Sequence, residues 1–181
     1  LVVPCDAVET KKATIALASI QGPAYLRFAR EATPVFTAEN DPFVIGKANI
    51  LKDGTDLTII ACGPIVYEAL QAAESLANSG ISARVINMHT IKPLDKEVIL
   101  KAARETGAIV TAEEHQVFGG LGGAVAKFLV QNHPIPMEMI GIQDTFGESG
   151  TPEELAEKYG LTASHIVEAA KRVLSRKPSL K

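Results

Sequence analysis

Residues 107–131, GAIVTAEEHQVFGGLGGAVAKFLVQ, pass from an apolar run through two carboxylates, a histidine and four glycines into an amphipathic run. Gly107 to Thr111 reads as a buried strand, and AVAKFLVQ, from Ala124 to Gln131, reads as a helix. A strand, a glycine turn and a helix invite a dinucleotide-binding reading, which fails on spacing. The G-x-G-x-x-G fingerprint needs its third glycine for close helix–strand packing, and here Gly120 and Gly122 are followed by Val125 at that place. Two readings of the turn remain. It can be a structural corner. Alternatively, the free N–H groups of a helix N-terminus can make His115, Gly119, Gly120, Gly122 and Gly123 a site for an effector anion or a subunit contact.

Outward from this stretch the same alternation recurs. Upstream, KANILKDGTDLTIIACG gives a strand, an Asp53-Gly54 turn and a wholly apolar strand, a hairpin-like lead into a buried sheet. IVYEALQAAESLAN sets Val66, Ala69, Leu70, Ala73, Leu76 and Ala77 on one helical face, with Gly80 as its stop. ARVINM is the next strand, and DKEVILKAARET a helix capped by Asp95. Downstream, PMEMIGI reads as a short strand. Thr151, Pro152 and Glu154 open a helix as a capping box with proline in its first turn, and a last helix falls near 163–175. Strands and helices at this spacing predict a three-layer α/β sandwich with a mainly parallel sheet and helices on both faces.

The N-terminal part reads differently. LVVP and AYLRFAR look like two strands around a helix that Asp6 and Glu9 would cap, a βαβ remnant of another α/β domain. Residues 31–45 hold two prolines and no clean period, as a linker does. The expected organisation is residues 1–33 as the end of one domain, 34–45 as linker and 46–181 as a complete domain. A start at Leu1, in strand-like sequence without an initiator methionine, reads as the interior of a longer chain.

Composition excludes several classes. A chain of 181 residues, 46% hydrophobic, can bury a sizeable core. Its net charge of −3 argues against nucleic-acid binding, no apolar run approaches the ~20 residues of a membrane span, and no leader points away from the cytoplasm. Cys5 and Cys62 lie in apolar surroundings and read as buried free thiols, and the four histidines show no metal-ligand spacing.

HTIKPLDKEVILKAA (89–103), TAEEHQVFGGLGGAVA (111–126) and ESGTPEELAEKYGLT (148–162) resemble the C-terminal domain of transketolase. VPCDAVETKKA with GPAYLRFAR resembles the end of the pyrimidine-binding domain that precedes it in that family. TIKPLD alone is shared with 1-deoxyxylulose-5-phosphate synthase and the β subunits of 2-oxo acid dehydrogenases, which remain alternatives, as does a non-catalytic interaction or effector-binding module. The resemblance implies transfer of two-carbon ketol units between sugar phosphates with thiamine diphosphate and a divalent metal, Mg or Ca. It also implies a homodimer, or assembly with an N-terminal subunit, and no catalytic residue within this chain. The family's G-D-G motif for diphosphate and metal does not occur here, and its aminopyrimidine-activating glutamate is expected upstream of Leu1. The fragment alone is therefore expected to be inactive.

One substrate residue follows from the resemblance. An arginine closing the strand AYLRFAR binds substrate phosphate in transketolase, and Arg30 stands at that position. Strand carboxyl ends carry the ligands of parallel α/β sheets, and a guanidinium can hold phosphate through two N–H bonds. An exposed pair with Glu31 or Glu39 is the plain alternative.

Overall fold

The computed structural model describes residues 1–178. Among the described residues five strands form one sheet: β1 (Asn49–Lys52), β2 (Leu57–Cys62), β3 (Ala83–Asn87), β4 (Ile109–Gln116) and β5 (Met137–Ile142), in the order β1-β3-β2-β4-β5. β3, β2, β4 and β5 run parallel, and β1 pairs antiparallel with β3. The helices of the described residues are α1 (Ala7–Ala18), α2 (Ile65–Asn78), α3 (Lys96–Thr106), α4 (Leu121–Asn132), α5 (Pro152–Lys158) and α6 (Ala163–Ser175). The expected three-layer α/β sandwich is the observed one.

Every residue of β2 and β3 is buried, as strands covered on both faces must be. Alternation then sorts their side chains. Leu57, Ile59 and Ala61 pack with α2 and α6, while Ile60 and Cys62 pack with α3 and α4. Thr58 is tolerated on the second face because its hydroxyl lies 2.9 Å from that of Thr106.

The hairpin expected at Asp53-Gly54 does not form. β3 lies between β1 and β2, so that β2, buried on both faces, has a parallel neighbour on each side, β3 and β4. The connection instead crosses the start of β3, where Thr55 and Asp56 N–H donate to Ser82 O. A Cβ at Gly54 would overlap the backbone of Ala83 and Arg84. The glycine is there for close approach.

The expected N-terminal strands shrink to single bridges, Val2 with Leu26 and Val2 with Thr90. Pro4 has no N–H to extend the ladder. α1 does form, yet its buried residues are only Glu9 and Ala13, and Ile15 points outward. Asp6 is its N-cap, accepting from Glu9 N–H at 2.9 Å. Glu9 does not close the box on the cap residue; its carboxylate accepts from Cys5 N–H.

Asp6 also orders residues 31–45, which carry no regular element. It accepts from Phe36 N–H at 3.0 Å, Thr37 N–H at 2.7 Å and the Thr37 hydroxyl at 2.7 Å. At the far edge of the sheet, Glu138 of β5 pairs with Arg172 and Arg176 of α6. The capping box at Thr151 and Glu154 forms as read, and both cysteines are free and buried.

Burial disfavours the Asp6 charge, but its hydrogen bonds to Glu9, Thr37 and Phe36 outweigh this and hold the carboxyl below its ordinary value. A depressed folded pKa stabilises the fold above the unfolded value, near 4, and that contribution disappears as pH falls through the folded value. Asp6→Ala should therefore cost about 1–2 kcal/mol at neutral pH, with the gap closing below pH ~4. Urea unfolding of both proteins across pH 3–7 measures it.

Candidate functional site

The carboxyl ends of β2 and β4 open on one small cavity of about 160 Å³, lined among others by Tyr25, Arg27, Cys62, Glu113, His115 and Gly120. The sequence places its floor. β4 runs five residues beyond the apolar core of its pattern, so Glu113, Glu114 and His115 belong to the strand rather than to the turn. Ile109 and Leu121 share the α3/α4 side of the sheet. Glu113, four residues after Ile109, leaves the strand on that same side.

There Glu113 meets the start of α4. Its carboxylate accepts from Leu121 N–H at 2.7 Å and from Gly122 N–H at 2.8 Å. The helix N-terminus, expected to be a structural corner or a site for an anion or a subunit contact, is capped by the chain's own carboxylate. Burial pushes the Glu113 carboxyl above its usual range, although the two amides, His115 and Arg27 oppose the shift. Alternation along β4 was the signal that could have located this contact.

The glycines serve different ends. Gly119 adopts φ 83°, a left-handed conformation that favours glycine. A Cβ at Gly120 would overlap the Glu113 carboxylate. Gly122 supplies one of the two amides, and Gly123 lies in the first turn of α4.

The remaining side chains are placed around this cap. Arg27 Nη2 donates to Glu114 O at 3.0 Å, tying the N-terminal segment to β4. His115 is exposed, its Nδ1 2.9 Å from Gln116 O. Cys62 is buried beside Glu113, and burial, then that charge, push its thiol well up; Cys5 is treated alike by burial and Glu9. Neither thiol is a ready nucleophile.

Arg30 is not among the lining residues. Its side chain is 93% exposed and grips Glu31 Oε1 through Nε at 3.1 Å and Nη2 at 2.9 Å. Glu39 pairs with Lys11 instead. Among the described residues no group of three or more His, Cys, Asp or Glu could hold a metal ion, and no helix is long and apolar enough to cross a membrane.

The family described as "Transketolase, C-terminal domain" matches residues 46–166. A 6-deoxy-6-sulfo-D-fructose transketolase subunit of Clostridium sp. (strain MSTE9) is 47% identical over 174 residues, 96% of this chain and 54% of that protein. An apulose-4-phosphate transketolase subunit of Phocaeicola vulgatus is 48% identical over 171 residues, 94% of this chain and 54% of that protein. Among solved structures, a split gene transketolase, an inactive beta4 tetramer, superposes with a TM-score of 0.95 at 46% identity, covering 98% of this chain and 58% of its own. The chain spans about half the length of the curated relatives it matches.

Removing the cap should leave two amides at the α4 N-terminus unpaired. Glu113→Ala is expected to lower stability by about 1–3 kcal/mol, and Gly120→Ala to destabilise by displacing the same carboxylate. Because both act on one contact, the double variant should cost less than the sum of the two. Chemical denaturation of the four proteins provides the cycle.

Proposed function

The chain belongs to the transketolase family through its C-terminal domain, and from that premise we propose that it works as the C-terminal part of a two-carbon ketol transferase acting on sugars with a terminal oxyanion. The observation that carries this reading is the likeness over nearly the whole chain to relatives named as transketolase subunits. Their names describe a sulfonated and a phosphorylated sugar, two compounds that each carry a tetrahedral anionic group. Residues 1–33 are the end of the pyrimidine-binding domain in this proposal, 34–45 the linker, and 46–181 the C-terminal domain.

Arg30 is the residue proposed to bind that anion. Its fork is already aimed at a carboxylate, Glu31, in a solvent-exposed pair. Such pairs are weak, so a substrate phosphate or sulfonate can take the guanidinium at little cost. The glycine turn and His115 are assigned to subunit contact rather than to an effector, since the amides that would receive an anion hold Glu113.

Thiamine diphosphate and a divalent metal, Mg or Ca, belong to the proposed complete enzyme. The described residues do not fit them. No cluster of metal-ligating side chains converges among these residues, and the α4 N-terminus is occupied by Glu113. No step is therefore assigned to the cofactor within this chain. The partner part, whether a separate N-terminal subunit or the rest of a longer chain, would supply the diphosphate and metal site. The working assembly is proposed to be dimeric in C-terminal domains, and cytoplasmic.

Two measurements test the reading. In the complete enzyme, Arg30→Ala should raise KM for phosphorylated sugars by about 10- to 100-fold, the loss of a charge-assisted contact. The KM for unphosphorylated hydroxypyruvate should stay near its starting value. Equal losses for both substrates would assign Arg30 to the fold. Titration calorimetry of the isolated chain with thiamine diphosphate and magnesium should show no tight binding. Heat from a submicromolar site in residues 1–181 would overturn the division of labour.

A further inference from the structure

Three buried polar side chains gather where the N-terminal segment crosses the end of β3. Glu9 comes from α1, Asn87 ends β3 and His89 follows it; they are 2%, 0% and 0% exposed. The chain stays extended past β3. Met88 N–H donates to Ala61 O at 2.8 Å, His89 O accepts from Val3 N–H at 2.7 Å, and Thr90 bridges Val2. Side chains two apart on an extended chain share a face. Asn87 and His89 therefore lie on the Cys5 side of the sheet, with Glu9 above them.

Most of their polar atoms have partners. Glu9 accepts from Cys5 N–H at 2.8 Å and from Asn87 Nδ2 at 2.8 Å. The His89 ring stacks on Phe43, centroids 4.3 Å apart, and its Nδ1 lies 2.9 Å from the Thr90 hydroxyl. Two atoms remain. Asn87 Oδ1 and His89 Nε2 are buried and have no hydrogen-bond partner among the described residues. The amide cannot simply turn over to help, since Oδ1 would then face the Glu9 carboxylate. Each of these buried atoms, an acceptor and a ring nitrogen on one face, calls for a partner.

We infer that one ordered water molecule bridges Asn87 Oδ1 and His89 Nε2 and completes a polar seam that fastens residues 2–9 to the sheet. Oδ1 can only accept, so the water donates to it. The ring nitrogen offers an N–H when Thr90 donates to Nδ1 and a lone pair in the other tautomer; water, with two donors and two acceptors, satisfies either. Two to four polar partners are what buried waters use. An anion in this place would face the charge of Glu9. Glu9 and Phe43, which contact Asn87 and His89, also line an open cleft of about 620 Å³, so solvent lies against the outer side of the seam.

The test is a crystal structure of the chain at atomic resolution, with imidazole NMR on the same protein. One isolated density peak within hydrogen-bonding distance of both atoms is expected, along with a magnetisation-transfer signal between the His89 ring and long-lived water. His89→Phe keeps a ring for Phe43 but removes Nε2. The water peak should be lost, and deuterium exchange at the Val3 and Cys5 amides should quicken about tenfold, the equivalent of one hydrogen bond. The inference is overturned by a dry contact in the wild type, or by direct protein partners for Oδ1 and Nε2. A water that stays in place in His89→Phe, or exchange unchanged within about twofold, also overturns it. If that variant does not fold, the wild-type density and NMR signal decide.

Discussion

Burying β2 and β3 on both faces is the constraint from which the rest of the molecule follows. A strand with no exposed side chain can keep its backbone groups paired only between neighbours, and can shed its apolar surface only against helices on both sides. Parallel neighbours need crossovers, and right-handed crossovers deliver each helix back over the sheet. α2 and α6 fill one side, α3 and α4 the other. All four parallel strands then end on the same edge, where the polar chemistry collects because the two helix layers do not cover it.

At that edge carboxylates do the joining. Glu113 holds the start of α4 from the strand beside it, and Glu68 on α2 accepts from Ala163 N–H, at the start of α6, at 2.8 Å. Asp6 gathers its own helix and the segment at 36–37. Such contacts differ from a local cap in one respect. They fix where a helix begins relative to another element, so the layers are registered to each other by charge-assisted bonds as well as by packing.

Much of this was legible in the sequence, and what was not has identifiable causes. The helices with one apolar stripe, α2, α3 and α6, could be read from periodicity because burial imposes it. The capping residues Asp6, Asp95 and Thr151 were readable because a cap is a local event. Strand order was not, since the antiparallel seat of β1 beyond β3 is decided by which strands must be buried, a property of the whole sheet. Short N-terminal strands were over-read, because a β-prone composition does not supply a partner. At the candidate site the glycines were visible and Glu113 was not. A carboxylate in a glycine-rich stretch suggests a loop, and only continued alternation from Ile109 reveals that it faces the helix. Arg30 came from family resemblance, and its contact with Glu31 is the one that side-chain proximity alone suggests.

The overlap between a Cβ at Gly120 and the Glu113 carboxylate makes these two positions one unit of variation. A lineage that places any side chain at 120 must first shorten or redirect the acid at 113. One that gives up the acid removes the closest overlap, though a Cβ at 120 still crowds the Gln116 carbonyl, and it must find another acceptor for the amides of Leu121 and Gly122. The two codons are thereby tied in their order of change. Exploring new surfaces at this turn is then a matter of paired steps, with the intermediate genotype the less stable one.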